Sequence, residues 1–208
     1  MNKPDPHQIS SVAELEALYG EVGTASVRKE VDYLHAHYQA LIKASTFAVL
    51  ATSGPDGLDA SPRGDPAGFI QIADDKTLLL ADRRGNNRID SLRNIITDPR
   101  VALLFLIPGL GETLRVNGQA SISIAPELLQ RFAINEKAPR SVLVIHVDTV
   151  FFQCSRAVLR AGLWDPAHHV EKKDLPTAGT ILAALTQQEI DGRQYDEELP
   201  QRLKTTLY

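Results

Sequence analysis

The spacing of apolar residues along this chain changes near residue 45, from the period of helices to the period of strands. Before that point Val12, Leu15 and Leu18 recur at helical spacing, with Ser10 or Ser11 as cap and Gly20 as stop. Leu34, Tyr38, Leu41 and Ile42 share one stripe and predict a second helix over residues 31–44. The first ten residues read as an arm. From there on, residues 46–52 are β-rich and nearly all apolar, and 58–63 run back after the turn signal Ser-Gly-Pro-Asp-Gly. Pro62 cannot donate to a ladder and marks an edge or a strand end. Residues 69–72 and 77–81 predict another hairpin, 101–107 a fully apolar strand, 113–122 an alternating one and 141–152 a long one. Residues 157–163 read as a further short strand.

Helical spacing returns through Ile89, Leu92, Ile95 and Ile96, behind Pro126 over 127–132, and over 180–190 with Ile181, Leu182, Leu185 and Ile190 inward. An acidic stretch, 191–198, follows. Six or more strands at hairpin spacing, with helices between and at the ends, predict an α+β, mainly β, antiparallel barrel-like sheet rather than βαβ winding.

Composition narrows the picture without changing it. With 208 residues, 43% of them hydrophobic and 23% charged, the chain can form one domain with a real core. A formal charge of -4 disfavours nucleic acid as a partner. No secretory core or membrane-spanning run is present, so the expectation is a cytoplasmic protein without a membrane partner. The single cysteine, Cys154, follows an apolar run and is expected to be a buried, inert thiol. His35 and His37 stand two apart, on different helix faces, so no metal pair is expected, and His168 and His169 read as surface residues.

The chemistry concentrates in residues 78–92. An apolar strand runs into a turn carrying Arg83, Arg84, Asn86, Asn87 and Arg88, and an amphipathic helix runs out. Arginine forks grip phosphate bidentately, and free N–H groups at a helix start favour negative charge. The turn therefore reads as an anion grip or, failing that, a solvated surface turn. Upstream, Gly64 lets backbone approach a ligand closely, with Arg63 and Asp65 on either side; these two could instead pair with each other. Asn86 could serve as a helix cap. No Ser/His/Asp or paired-carboxylate constellation stands out.

Taken in order, several pieces resemble the FMN-binding split-barrel flavoproteins of the pyridoxamine 5'-phosphate oxidase type. They are Ser-Pro-Arg-Gly-Asp at 61–65, Leu-Leu-Ala-Asp-Arg-Arg-Gly-Asn-Asn-Arg at 79–88, Asp-Pro-Arg-Val at 98–101, Leu-Phe-Leu-Ile-Pro-Gly at 104–109, Thr-Leu-Arg-Val-Asn-Gly at 113–118, and residues 154–166. The resemblance implies a split barrel over 46–166, a helical arm over 1–45 and a helical extension over 167–208. It implies FMN at a homodimer interface. Arg63, Asn87 and Arg88 would meet the phosphate, with Arg83 nearby and Asn86 beside it. Gly64, Asp65, Ala81 and Asp82 would lie along the ring and ribityl chain. Glu112, Thr113 and Arg115 would stand near the flavin, and Arg160 and Trp164 would close the site from the partner subunit. The implied activity is FMN-dependent oxidoreduction of a small molecule by hydride transfer at the flavin, with no protein acid or base named and no metal. The alternative is a flavin- or haem-binding carrier or sensor on the same barrel. A deazaflavin reductase is a third option, disfavoured by the complete Gly-Asn-Asn-Arg turn at 85–88. The basic and aromatic set that grips pyridoxal phosphate in the true oxidases is not recognisable near the C-terminus, which argues against vitamin B6 oxidation.

Overall fold

The computed structural model describes Asp5 and residues 7–208, so the arm expected over 1–10 lies partly outside the described residues. Helix α1 (Val12–Tyr19) is capped by Ser11, whose hydroxyl accepts from the Glu14 N–H, and Gly20 ends it in a left-handed turn. A short helix, α2 (Thr24–Arg28), follows. The helix expected over 31–44 starts later, as α3 (Ala36–Ala44). Two things stop it extending backwards. Val31 exchanges backbone hydrogen bonds with Val150, and His35 takes the cap position, its Nδ1 accepting from the His37 N–H.

Seven strands follow: β1 (Phe47–Gly54), β2 (Gly57–Gly64), β3 (Ile70–Asp74), β4 (Thr77–Asp82), β5 (Arg100–Leu106), β6 (Thr113–Ser123) and β7 (Ser141–Gln153). They form one sheet in the order β2-β1-β5-β6-β7-β4-β3, with every pairing antiparallel. Pro62 lies on β2, an edge, as its missing N–H requires. Leu50, Ile70, Leu78, Leu80, Leu103, Phe105, Leu114, Leu143 and Ile145 fill the inside, with Leu34 and Ile42 packed among them. The ladders do not close the ring. The edge strands β2 and β3 do not pair; β2 instead meets the end of β4 through side chains, and this is the split. Between β6 and β7 the register shifts at Asn117/Gly118. A Cβ on Gly118 would run into the His146 carbonyl, so this close approach of two backbones needs glycine.

Three further expectations are corrected. Residues 157–163 are not a strand: α6 (Arg156–Ala161) occupies them, stopped by Gly162 in a left-handed conformation. The preceding strand offered no free side for a hairpin, because β7 already pairs with β6 on one side and β4 on the other. Cys154 is exposed, since the alternation of β7 ends at Gln153 and the chain turns away. The tail helix, α7 (Ala178–Leu185), turns small residues inward: Gly179 and Ala183 are buried while Ile181 and Leu185 are exposed. The reason is the acidic stretch, which forms the start of a second helix, α8 (Gly192–Thr206), crossing α7 so closely that a Cβ on Gly179 would meet the Gly192 carbonyl. The remaining helices are α4 (Asp90–Thr97), which buries Ser91 and Ile95, and α5 (Pro126–Arg131).

Candidate functional site

The strand period places three polar residues of β2 on one face. Asp59, Ser61 and Arg63 are half-buried, while Ala60, Pro62 and Gly64 between them are exposed. That face looks across the split at the end of β4 and the start of α4. Arg63 Nη1 donates to Asp82 Oδ1 at 2.8 Å, and Nη2 donates to Ser91 Oγ at 3.3 Å. The Ser91 hydroxyl donates to Asp59 Oδ2 at 2.5 Å. Its one hydrogen is thereby used, so Ser61 is the donor in the 2.9 Å Ser61–Ser91 contact. Arg63 Nε is buried with no partner. One step further, Arg83 Nε donates to Asp65 Oδ2 at 2.9 Å and its Nη1 to the Phe132 carbonyl at 2.7 Å. Asp65 also accepts the Tyr208 hydroxyl at 2.6 Å, and this negative neighbour holds the Tyr208 phenol above its ordinary range. Arg63 and Asp65 do not pair with each other; each crosses the split.

The turn between β4 and α4 is strained. Asn87 and Ile89 both take left-handed backbone, with φ of 61° and 54°. For a β-branched residue this costs roughly 1–3 kcal/mol and is typical of ligand-gripping turns. Asn86 is not the helix cap: its Oδ1 accepts from the Arg88 N–H at 3.0 Å, and Ile89 occupies the cap position without a side-chain bond. The first N–H groups of α4 are therefore left without a side-chain acceptor. Arg88 is exposed and pairs with Asp90 at 2.8 Å, and Arg140 donates to Asn87 Oδ1 at 3.0 Å.

A cavity of about 640 Å³ opens along this turn, walled by five arginines (63, 83, 84, 88 and 140) against three aspartates (59, 82 and 90). Positive charge is in excess, as an anion site requires. A second cavity of about 410 Å³ adjoins it, with Gly64, Asp65, Phe69, Leu80, Ala81 and Tyr208 among its walls. Nine sequence-predicted residues thus come together: Arg63, Gly64, Asp65, Ala81, Asp82, Arg83, Asn86, Asn87 and Arg88. The other five do not join them. Glu112, Thr113 and Arg115 lie at the start of β6, where Trp164 Nε1 donates to the Leu110 carbonyl at 2.7 Å and Arg160 sits on α6. Along β7 the two sets hang from opposite ends: Asp82 pairs at Ser141 and Thr113 pairs at Gln153. Asp59, Ser91, Arg84, Arg140 and Tyr208 were not among the predicted residues. Asp59 was legible, since it precedes Ser61 and Arg63 by the strand period. Ser91 and Tyr208 join only through tertiary contact.

Among the described residues no helix is long and apolar enough to cross a membrane, and no group of three His, Cys, Asp or Glu could hold a metal ion. The family model for pyridoxamine 5'-phosphate oxidase matches residues 34–154, more than half of the chain and all seven strands. α6, Trp164 and the α7–α8 pair lie beyond it. No curated protein matches. Among solved structures, HupZ of Group A Streptococcus is 22% identical, covering 58% of this chain and 94% of its own, at a TM-score of 0.47. General Stress Protein 26 of Bacillus anthracis is 22% identical over 55% and 88% of the two chains, at 0.42. An FMN-binding protein of Syntrophomonas wolfei is 14% identical over 62% and 95%, also at 0.42.

Proposed function

Because the chain belongs to the pyridoxamine 5'-phosphate oxidase family, we propose that it is an FMN-dependent oxidoreductase acting on a small molecule. The single observation that carries the reading is the buried, unpartnered Arg63 Nε at the wall of an arginine-rich cavity. An orphaned buried donor costs roughly 1–3 kcal/mol. A phosphate oxygen would relieve that cost and neutralise the excess charge at once. The donor set fits FMN at its other end too. The adjoining cavity offers Gly64, where no side chain intervenes, and the apolar Leu80, Ala81 and Phe69.

In this reading Arg63, Asn87, Arg88 and the free N–H groups of α4 hold the phosphate, and Asp82 and Asp90 hold two of those arginines in place. Gly64, Asp65, Ala81 and Asp82 form the bed, and Arg83 is fixed over it by Asp65 and Phe132. Bound flavin supplies hydride transfer; the protein supplies position and dryness. Glu112, Thr113, Arg115, Arg160 and Trp164 belong to the same site only if a second copy delivers them. The apolar outer face of the sheet supports such a homodimer. Phe47–Leu106, Val49–Leu104 and Ala51–Ala102 pair in register there, partly exposed, with Arg115 opposite Leu104.

Fluorescence titration tests the phosphate grip. Wild type should bind FMN far more tightly than riboflavin. Arg63→Lys keeps the charge for Asp82 but loses the fork, and Arg88→Ala loses a donor. Each costs FMN about tenfold to a hundredfold, from roughly 1.5–3 kcal/mol per charge-assisted bond, and leaves riboflavin unchanged. Equal affinity of wild type for FMN and riboflavin refutes the assignment. A Soret band in place of a flavin band in the purified protein would favour haem instead.

A further inference from the structure

α7 and α8 form a unit that is tight within itself and loosely attached to the barrel. Asp196 of α8 accepts the Gly179 N–H at 2.8 Å and the Thr177 hydroxyl at 2.5 Å, and the two backbones cross at Gly179 and Gly192, where neither has room for a Cβ. Yet α8 buries none of its residues, and residues 165–177, which lead from Trp164 to α7, are all exposed. Among the described residues, every side-chain hydrogen bond from α8 and the segment after it to the barrel passes through Tyr208. Its hydroxyl donates to Asp65 Oδ1 at 2.6 Å, its ring stands 5.7 Å from the Arg83 guanidinium, and its main-chain carbonyl accepts from Lys137 Nζ at 3.2 Å. With Leu207 it walls the cavity of about 410 Å³ that forms the bed, beside the arginine-lined cup. The Asp65 carboxylate is only 5% exposed, with one oxygen on Arg83 and the other on Tyr208.

We propose that the α7–α8 pair is a lid on this cavity and that Tyr208 is its latch. The exposed link before α7 is the hinge. Opening costs the few contacts at Tyr208 and leaves both the barrel core and the α7–α8 crossing intact. Fastened, Leu207 and Tyr208 close one wall of the bed and keep water from Asp65. Released, they uncover Gly64, Asp65 and Ala81, and a ligand on the bed is free to leave. Latch and bed share Asp65 and Arg83, so a ligand that holds these two side chains in place favours the fastened state. Fastening then slows that ligand's exit in turn, because the coupling is reciprocal. The lid rests on the FMN reading for the identity of the ligand, and on its own contacts for everything else.

Two measurements test the lid. Cys154 is exposed, so a Cys154→Ser background allows spin labels at Asp56→Cys and Gln201→Cys, both exposed positions. Pulsed electron resonance, with labelled chains diluted among unlabelled ones, reads the separation of α8 from the β1–β2 turn. The parent chain should give one narrow distribution. Tyr208→Ala, and to a smaller extent Lys137→Gln, should broaden it toward longer distances while circular dichroism shows helix content unchanged. Stopped-flow flavin fluorescence then reads the release of FMN on dilution. Tyr208→Ala should speed release about tenfold, the worth of one hydrogen bond to a charged partner. Tyr208→Phe, which keeps the ring and loses the hydroxyl, should fall between that and wild type. A distance distribution unmoved by Tyr208→Ala overturns the lid, and an FMN release rate unmoved once the labels have parted overturns its hold on the cavity. Failure of the flavin reading shows separately: a protein that takes up no FMN, yet whose labels part in Tyr208→Ala, keeps the lid and is not a flavoenzyme.

Discussion

Ser91 carries more of the site than its size suggests. Its hydroxyl is buried, donates to Asp59, and accepts from both Ser61 and Arg63. Ser91→Ala would leave Asp59 and Arg63 each short of a partner. The expected loss is roughly 1–3 kcal/mol, a fall in Tm of about 2–4 °C per kcal/mol for a chain of this size. An unchanged melting temperature would show that water replaces the hydroxyl fully. Asp98 is a simpler case. Hydrogen bonds from the Arg100 guanidinium and backbone hold its carboxyl down at about 2, from an ordinary 3.8. A depressed carboxyl favours the folded state above its unfolded value and loses that advantage as pH falls through the folded one. The contribution is present above about pH 4 and disappears between there and pH 2, weakly, because the Arg100 side chain is exposed to solvent. Carbon-detected NMR titration of Asp98, with and without Arg100→Gln, reads it directly: the midpoint should rise in the variant.

At the scale of elements, β6 was legible because a strand with one buried face alternates every two residues, and β1 and β7 because they are apolar, β-rich runs bounded by turn signals. Residues 157–163 misled because a short apolar run fits helix and strand alike; Gly162 was the stop signal that distinguishes them. The inward face of α7 could not be read at all. Large apolar residues point inward by default, but the second helix crosses at Gly179, and only small residues fit beneath it. The site divides in the same way. Its arginines and asparagines lie in two continuous stretches and stood out, whereas Ser91, inside the second stretch, shows its role only through tertiary contact, and Arg140 and Tyr208 reach the site from elsewhere in the chain. One element-level test follows from the β6–β7 bulge. Gly118→Ala drives a Cβ at the His146 carbonyl, and backbone cannot swing aside as a side chain can. The cost should be at the upper end of overpacking, roughly 1–3 kcal/mol or more, seen as a lowered denaturant midpoint. A neutral substitution would mean the two strands part easily there.

At the scale of the molecule, the two sets of predicted residues stand apart in one chain, and the proposed shared site would need assembly to unite them. A homodimer apposed on the outer faces of β1 and β5 would supply Trp164 from one copy to the cup of the other. Light scattering should therefore give twice the chain mass, and flavin should raise the dimer's thermal stability, since a ligand spanning both copies binds only the assembled form. Trp164 is the sole tryptophan, so its emission should fall as FMN is added. A monomer that binds FMN tightly, or emission unchanged at saturation, would return Trp164 to a packing role on the Leu110 carbonyl. The segment after α8 brings Tyr208 against Asp65 from outside the family match.

The split itself sets a rhythm of motion. Elsewhere neighbouring strands are joined by a backbone ladder, but across the split β2 and the residue after it are joined by side chains, Arg63 to Asp82, Asp65 to Arg83, and Asp59, Ser61 and Arg63 to Ser91. Such a join breathes: it opens without unfolding the rest, and salt eases the opening by screening the charges. The amides of β2 that face away from β1 should exchange with deuterium faster than any in β6, and faster still in 1 M salt. An anion gripping Arg63 and Arg88 together works as a staple across the opening. Exchange in β2 should then slow in step with the ligand's occupancy, so the barrel would report its own loading as a change in how often it gapes.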